Sequence, residues 1–230
     1  MNNAPDEGAA WGPSSTEVRA LIDRIAGSFS AGEHAAEIRG AREAFDQERG
    51  RVFDDDELYP QHMARFLEWY SLERELKGEG APPVVKLLRR GGLQGECELA
   101  LALARSHISI FEVVACHGRS LRVYDLVGSS FWKVRIAGPA VGLGPRDIAE
   151  VRLIPWRHEV ALGPAMIFHP PTAHQAIHRL VEERTAAGRI DASIVADLAE
   201  MRLRFARYRN MAIEHIYKER STRGGGVERL

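Results

Sequence analysis

The chain has 230 residues, 45% of them hydrophobic, which is enough apolar material for a core in one large domain or two small ones. A formal net charge of −1 gives no global pull toward nucleic acid or an anionic membrane. No apolar run approaches the roughly 18 residues a membrane span needs, and two cysteines, Cys97 and Cys116, indicate a reducing compartment rather than a disulfide framework.

Residues 1–13 hold Gly, Ala, Pro and Asn without periodicity and are expected to form a disordered tail. They lack the cationic and apolar regions of a secretion signal, so a cytoplasmic location is expected. A helical region follows over 14–106. Ser14 and Glu17 stand at capping-box spacing, ahead of Val18, Leu21, Ile22, Ile25 and Phe29 at helical intervals. A second helix is predicted from about Glu33 to Arg49, closed by Gly50. Asp54, Asp55, Asp56 and Glu57 precede a third, where carboxylates would complement the helix dipole. Tyr59, Phe66, Trp69 and Tyr70 make this the densest aromatic stretch. Shorter helices are expected at 84–90 and 94–105.

The period then changes. Stretches at 108–115, 121–127, 130–136, 148–155, 158–162 and 165–168 alternate or are β-branched, with Gly118 and Gly128 at turns. The 107–169 region is therefore expected to be a small antiparallel β-barrel or curled sheet. Helices return over 170–220. Thr172 and Gln175 suggest a second capping box. A helix to about Ala187, a break at Gly188 and a long helix from Asp191 to about Arg220 predict a C-terminal helical hairpin. Ile194, Leu198, Met201, Phe205, Tyr208 and Ala212 step along that last helix as a heptad seam. Residues 221–230, with Gly224, Gly225 and Gly226, are expected to be a second disordered tail. The fold class predicted is α+β.

Charge is uneven. Residues 1–80 hold 17 acidic and 9 basic side chains, a net −8, while residues 201–230 hold 3 acidic and 8 basic ones, a net +5. These segments would attract each other within the chain or serve a partner.

The stretch Gly50-Arg51-Val52-Phe53 through Phe66-Leu67-Glu68-Trp69-Tyr70-Ser71-Leu72-Glu73-Arg74, with Ile110-Phe111-Glu112-Val113 and Leu121-Arg122-Val123-Tyr124-Asp125-Leu126, resembles an uncharacterised, myxobacterial-like protein family over roughly residues 45–170. The resemblance implies a fold and no activity. Relatives in that family carry a Cys-rich zinc-binding tail, which this sequence lacks.

Several constellations invite chemistry. His174 and His178 lie one helical turn apart, the spacing that places two imidazoles on one ion, with Glu182 on the same stripe and His169 upstream. Gln175 occupies the position where a metalloprotease helix has its glutamate, so a solvated helix face is the favoured reading. The run Asp54–Glu57 lacks the ladder of a calcium loop. Cys116 and His117 are strand neighbours and point to opposite faces, so they do not form a nucleophile–base pair. Gly142-Leu143-Gly144-Pro145, with Gly138 and Pro139, has no nucleotide-loop signature and reads as a connection. Arg202, Arg204, Arg207 and Arg209, with Lys218, Arg220 and Arg223, form a basic element that would track phosphates or solvate a helix.

No catalytic residue is assigned and no cofactor is expected. The leading expectation is a non-enzymatic, cytosolic protein-binding or regulatory protein. Its contact surface would include Trp69, Arg202, Phe205, Tyr208 and Arg209, and its partner would be another protein or a second copy in a homodimer. A nucleic-acid-binding module built on the β region and the Arg-rich last helix is the first alternative. A metal-dependent enzyme at His174, His178 and Glu182 is the second.

Overall fold

The computed structural model describes residues 12–136 and 142–219. Residues 1–11 of the expected 1–13 tail and the whole expected 221–230 tail, together with Gly138, Pro139 and Arg220, lie outside the described residues.

The helical half begins with α1 (Ser15–Gly27), where the capping box forms: Ser14 Oγ accepts the Glu17 N–H at 3.1 Å and Glu17 accepts the Ser14 N–H at 2.8 Å. A short 3₁₀ turn leads into α2 (Ala35–Arg49). Helix α3 (Tyr59–Leu72) starts one residue past the acidic run, with Pro60 in its first turn and no acidic residue there. The predicted dipole role of Asp54–Glu57 is thus not realised, because the chain first makes a turn in which Asp56 accepts the Phe53 N–H. Helices α4 (Pro83–Arg89) and α5 (Cys97–Ala104) complete this half. Phe29, Phe45, Phe66 and Tyr70 pack into one aromatic core among α1, α2 and α3, and the Tyr70 hydroxyl donates to the Phe29 carbonyl at 2.6 Å.

The β region holds β1 (His107–His117), β2 (Ser120–Asp125), β3 (Ser130–Arg135), β4 (Ile148–Trp156), β5 (Glu159–Leu162) and β6 (Ile167–Phe168). Strand order is β1-β2-β3-β5-β4, and β4 pairs back with β1, so five strands close into a barrel and β6 extends it beside β4. All pairings are antiparallel except β3 with β5. A bulge between Val113 and Ala115 bends the long β1, letting its first half pair with β4 and its second half with β2. Phe111, Val113, Leu121, Val123, Val134, Val151 and Leu153 fill the interior.

The other face of β4 is covered as well. Ile148 packs beneath the C-terminal helices, Ile154 beneath α1, α4 and α5, and between them Glu150 and Arg152 sit under the helical layer. Gly163 belongs to this contact: a Cβ there would lie 2.9 Å from Arg152 Cβ, so only glycine allows the approach.

A 3₁₀ turn and α6 (His174–Ala186) follow β6, without the predicted Thr172–Gln175 cap. Gly188, at φ +64°, turns the chain toward α7 (Ser193–Arg207), completing the C-terminal hairpin. The last helix does not run to Arg220. Tyr208 leaves helical geometry at ψ 61°, and a short α8 (Ile213–Ile216) folds back so that Ile216 and Tyr217 enter the core beneath α6 and α7. Burying those two side chains outweighs continuing the seam into solvent.

Candidate functional site

The outer face of the β2–β3 hairpin is built by strand alternation. Leu121 and Val123 point into the barrel, which turns Ser120, Arg122 and Tyr124 outward. Across the ladder, Arg122 pairs with Lys133 and Tyr124 with Phe131. Phe131 is 58% exposed, an unusual position for a phenylalanine on a strand. The Arg122 guanidinium lies 4.5 Å from its ring centroid and the Tyr124 ring 4.8 Å from it. His117, Ser120, Arg122, Phe131, Trp132 and Lys133 line a shallow depression of about 420 Å³ on this face. Arg119 is exposed in the adjoining β1–β2 turn. Among the described residues no carboxylate pairs with Arg119, Arg122 or Lys133. The arrangement presents flat apolar rings beside uncompensated cations, which suits a planar, anionic polymer.

The hairpin is held rigidly. Asp125, at the end of β2, accepts the Ser109 hydroxyl at 2.5 Å, the N–H groups of Val127 and Gly128 at 3.0 and 2.9 Å, and a bond to His107 at 2.8 Å. Burial pushes its pKa up, but these bonds outweigh it and hold the carboxyl below its ordinary value. A Cβ at Gly128 would fall 2.7 Å from an Asp125 oxygen, so a side chain there would displace the carboxylate that caps the turn. Ser, Asp and His meet here in an order that places Asp between the other two. A nucleophile triad needs the imidazole between them, so the cluster caps a turn.

A second concentration of charge lies inside. Arg65 of α3 bonds Glu150 at 2.9 Å and Glu73 at 2.8 Å, Arg49 of α2 pairs with Glu150, and Arg152 bonds Glu68 at 3.2 Å, Glu73, and the Ser106 hydroxyl at 2.9 Å. Three guanidinium groups meet three carboxylates, and Glu150 and Arg152 are each only 1% exposed. Burial raises the Glu68 pKa despite Arg152. Burial also acts to raise Glu73, but Arg65 and Arg152 dominate and bring it to about 2. Burial lowers Arg49; it also opposes Arg65, whose three carboxylate neighbours nevertheless drive its pKa up. Glu68 Oε1, Arg49 Nε and Arg65 Nη1 have no hydrogen-bond partner among the described residues. The cluster clamps the helical layer to β4.

The sequence-predicted residues are dispersed. His178 lies 3.3 Å from Glu112 of β1, and His174 approaches the His169 carbonyl at 3.3 Å. Glu182 is exposed. Among the described residues no group of three His, Cys, Asp or Glu side chains is placed to hold a metal. His169 is buried with Nδ1 3.1 Å from the Tyr217 hydroxyl, and burial lowers its pKa to about 3. Trp69 is half-buried, its ring 5.3 Å from Phe45 and beneath the Arg74 guanidinium. Phe205 is half-buried against the C-terminal core. Arg202 donates to the Phe168 carbonyl at 2.7 Å, Arg207 bonds Asp56 at 2.9 Å, and Arg209 bonds Glu57 at 3.0 Å. Asp56 and Glu57 of the acidic run are therefore neutralised within the chain by Arg207 and Arg209. Tyr208 and Met211 stay 53% and 39% exposed.

Sequence reasoning did not single out Arg122, Phe131 or Lys133. The signal was present in the alternation of β3, where Phe131 falls on the face opposite Val134. The buried clamp gave no such signal, since Glu150 and Arg152 occupy the outward face of a strand whose cover comes from distant segments. No helix among the described residues is long and apolar enough to cross a membrane. No family model, curated protein or solved structure matches the chain.

Proposed function

We propose that the chain binds single-stranded nucleic acid through the outer face of β2 and β3. The observation that carries this reading is the Arg122–Phe131–Tyr124 cluster with Lys133 beside it, aromatic and cationic at once and without a carboxylate partner for either cation among the described residues. Unpaired bases stack on such rings and phosphates follow the cations. The strand order is also that of the small five-stranded OB-type barrels, whose strand 2–3 face binds oligonucleotides and oligosaccharides. That support is an analogy of fold and weighs less than the residues. Part of the negative charge of the first third is offset by arginines from outside it: Asp56 by Arg207, Glu57 by Arg209 and Glu68 by Arg152.

Fluorescence anisotropy with a labelled single-stranded oligonucleotide tests it. Binding should weaken with salt, with a slope near −2 in log–log form if about three phosphates are neutralised. Arg122→Ala should flatten that slope. Absence of binding to both single-stranded DNA and RNA at low salt would exclude the proposal.

A protein-contact surface beyond α7 is the second reading, favoured by the exposure of Tyr208 and Met211 and by Phe53, 51% exposed beneath Arg207. Replacing Tyr208 and Met211 with Ser should reduce any self-association seen by light scattering without altering the circular dichroism. A wild-type chain that stays monomeric at high concentration removes the homodimer version.

A further inference from the structure

A cavity of about 510 Å³ opens between α1, α3 and the β5–β6 connection, a volume within the usual range for small-molecule sites. Leu67, Met166 and Phe168 give it an apolar interior. Glu68 borders it with its charge offset by Arg152 and Arg65, while Glu68 Oε1 and Gln61 Oε1 are buried without a hydrogen-bond partner among the described residues. The uncommitted charges are Arg19 and Asp23, both exposed and one turn apart on α1. Opposite charges at this spacing ordinarily pair. Here Arg19 instead reaches the Pro164 carbonyl at 3.3 Å, and no ion pair to Asp23 forms among the described residues.

We propose that this cavity binds a free α-amino acid with an apolar, preferentially aromatic side chain. The carboxylate is received by Arg19 and the ammonium by Asp23. The ring lies between Leu67, Met166 and Phe168, where the Met166 sulfur and the Phe168 ring both favour an aromatic neighbour. A ligand with one net charge is attracted by one of the two α1 side chains and repelled by the other. A dipolar head satisfies both, which selects the zwitterion over either singly charged relative. This site is separate from the β2–β3 face and does not depend on it.

Calorimetry on the full chain tests the assignment with L-phenylalanine, phenethylamine and 3-phenylpropanoate. L-phenylalanine should bind saturably, and each analogue, lacking one charge, should bind about tenfold more weakly or worse. Arg19→Ala and Asp23→Ala should each weaken L-phenylalanine by a similar factor with unchanged circular dichroism. Saturation should also shift the methyl resonance of Met166. Equal binding of the analogues, indifference to both substitutions, an unmoved Met166 signal, or no saturable binding at millimolar concentrations would overturn the proposal.

Discussion

Strand β4 and the β2–β3 hairpin belong to one barrel, and both carry arginine on the outward side, yet the two arginines live in opposite surroundings. Arg152 of β4 lies under the helical layer and is met by Glu68 and Glu73. Arg122 of β2 lies in the open over Phe131 and meets no carboxylate among the described residues. Charge on a strand therefore does not mark a site by itself. What distinguishes the two is whether the fold has already supplied the counter-charge. Where it has, removing one partner should damage the fold; where it has not, the proposed function expects removal to damage binding instead.

The largest expected effect breaks the inner side of this contrast. Arg152→Met leaves Glu68 buried with only Arg65 at 3.6 Å, and should cost about 3–5 kcal/mol in urea unfolding. Arg122→Met should stay within about 0.5 kcal/mol of wild type. Equal losses in the two variants would dissolve the distinction.

Acid should find the buried interior next. His62, packed edge-on against Phe45, is lowered to about 3 by burial first and then by Arg49 and Arg42. Asp46 stands 3.8 Å from its Nε2, too far for a hydrogen bond, and the neutral ring offers it no charge. His169 is lowered similarly. Both histidines protonate more readily when unfolded, so stability is full above pH 6.5 and falls as the pH drops from there toward 3. The loss should approach about 1.4 kcal/mol per pH unit for each ring. Denaturant melts between pH 7 and 4.5 check this, and a flat profile would show that the rings are not held neutral.

On the outer side, Phe131→Ala should cost about 1–3 kcal/mol of single-strand affinity while leaving the melting temperature unchanged. The smallest effect belongs to His178. Its contact with Glu112 is partly exposed, so His178→Ala should change stability by less than about 1 kcal/mol. A larger loss would show that the contact with Glu112 anchors α6 to β1.

Much of the fold was legible locally. The Ser14–Glu17 box, the helical stripe of Val18, Leu21, Ile22 and Ile25, and the alternation that defines the strands all act over a few residues. What failed involved distant cover. The end of α7 was misplaced because Ile216 and Tyr217 gain more from the core than the seam gains from lengthening. The acidic run before α3 suggests a helix cap, yet Asp56 and Glu57 are matched by Arg207 and Arg209, some 150 positions later, the in-chain attraction that the uneven charge suggests without naming the pairs. The outer face was half legible: alternation places Phe131 outward, but only the β2–β3 register brings Arg122, Tyr124 and Lys133 around it.

The most direct test of the contrast is a nuclear magnetic resonance titration of the isotope-labelled chain with a single-stranded oligonucleotide. Amide shifts should concentrate at Arg119, Arg122, Phe131 and Lys133, with Glu150 and Arg152 unmoved. Shifts confined to the C-terminal helices, or no shifts at saturating oligonucleotide, would contradict it.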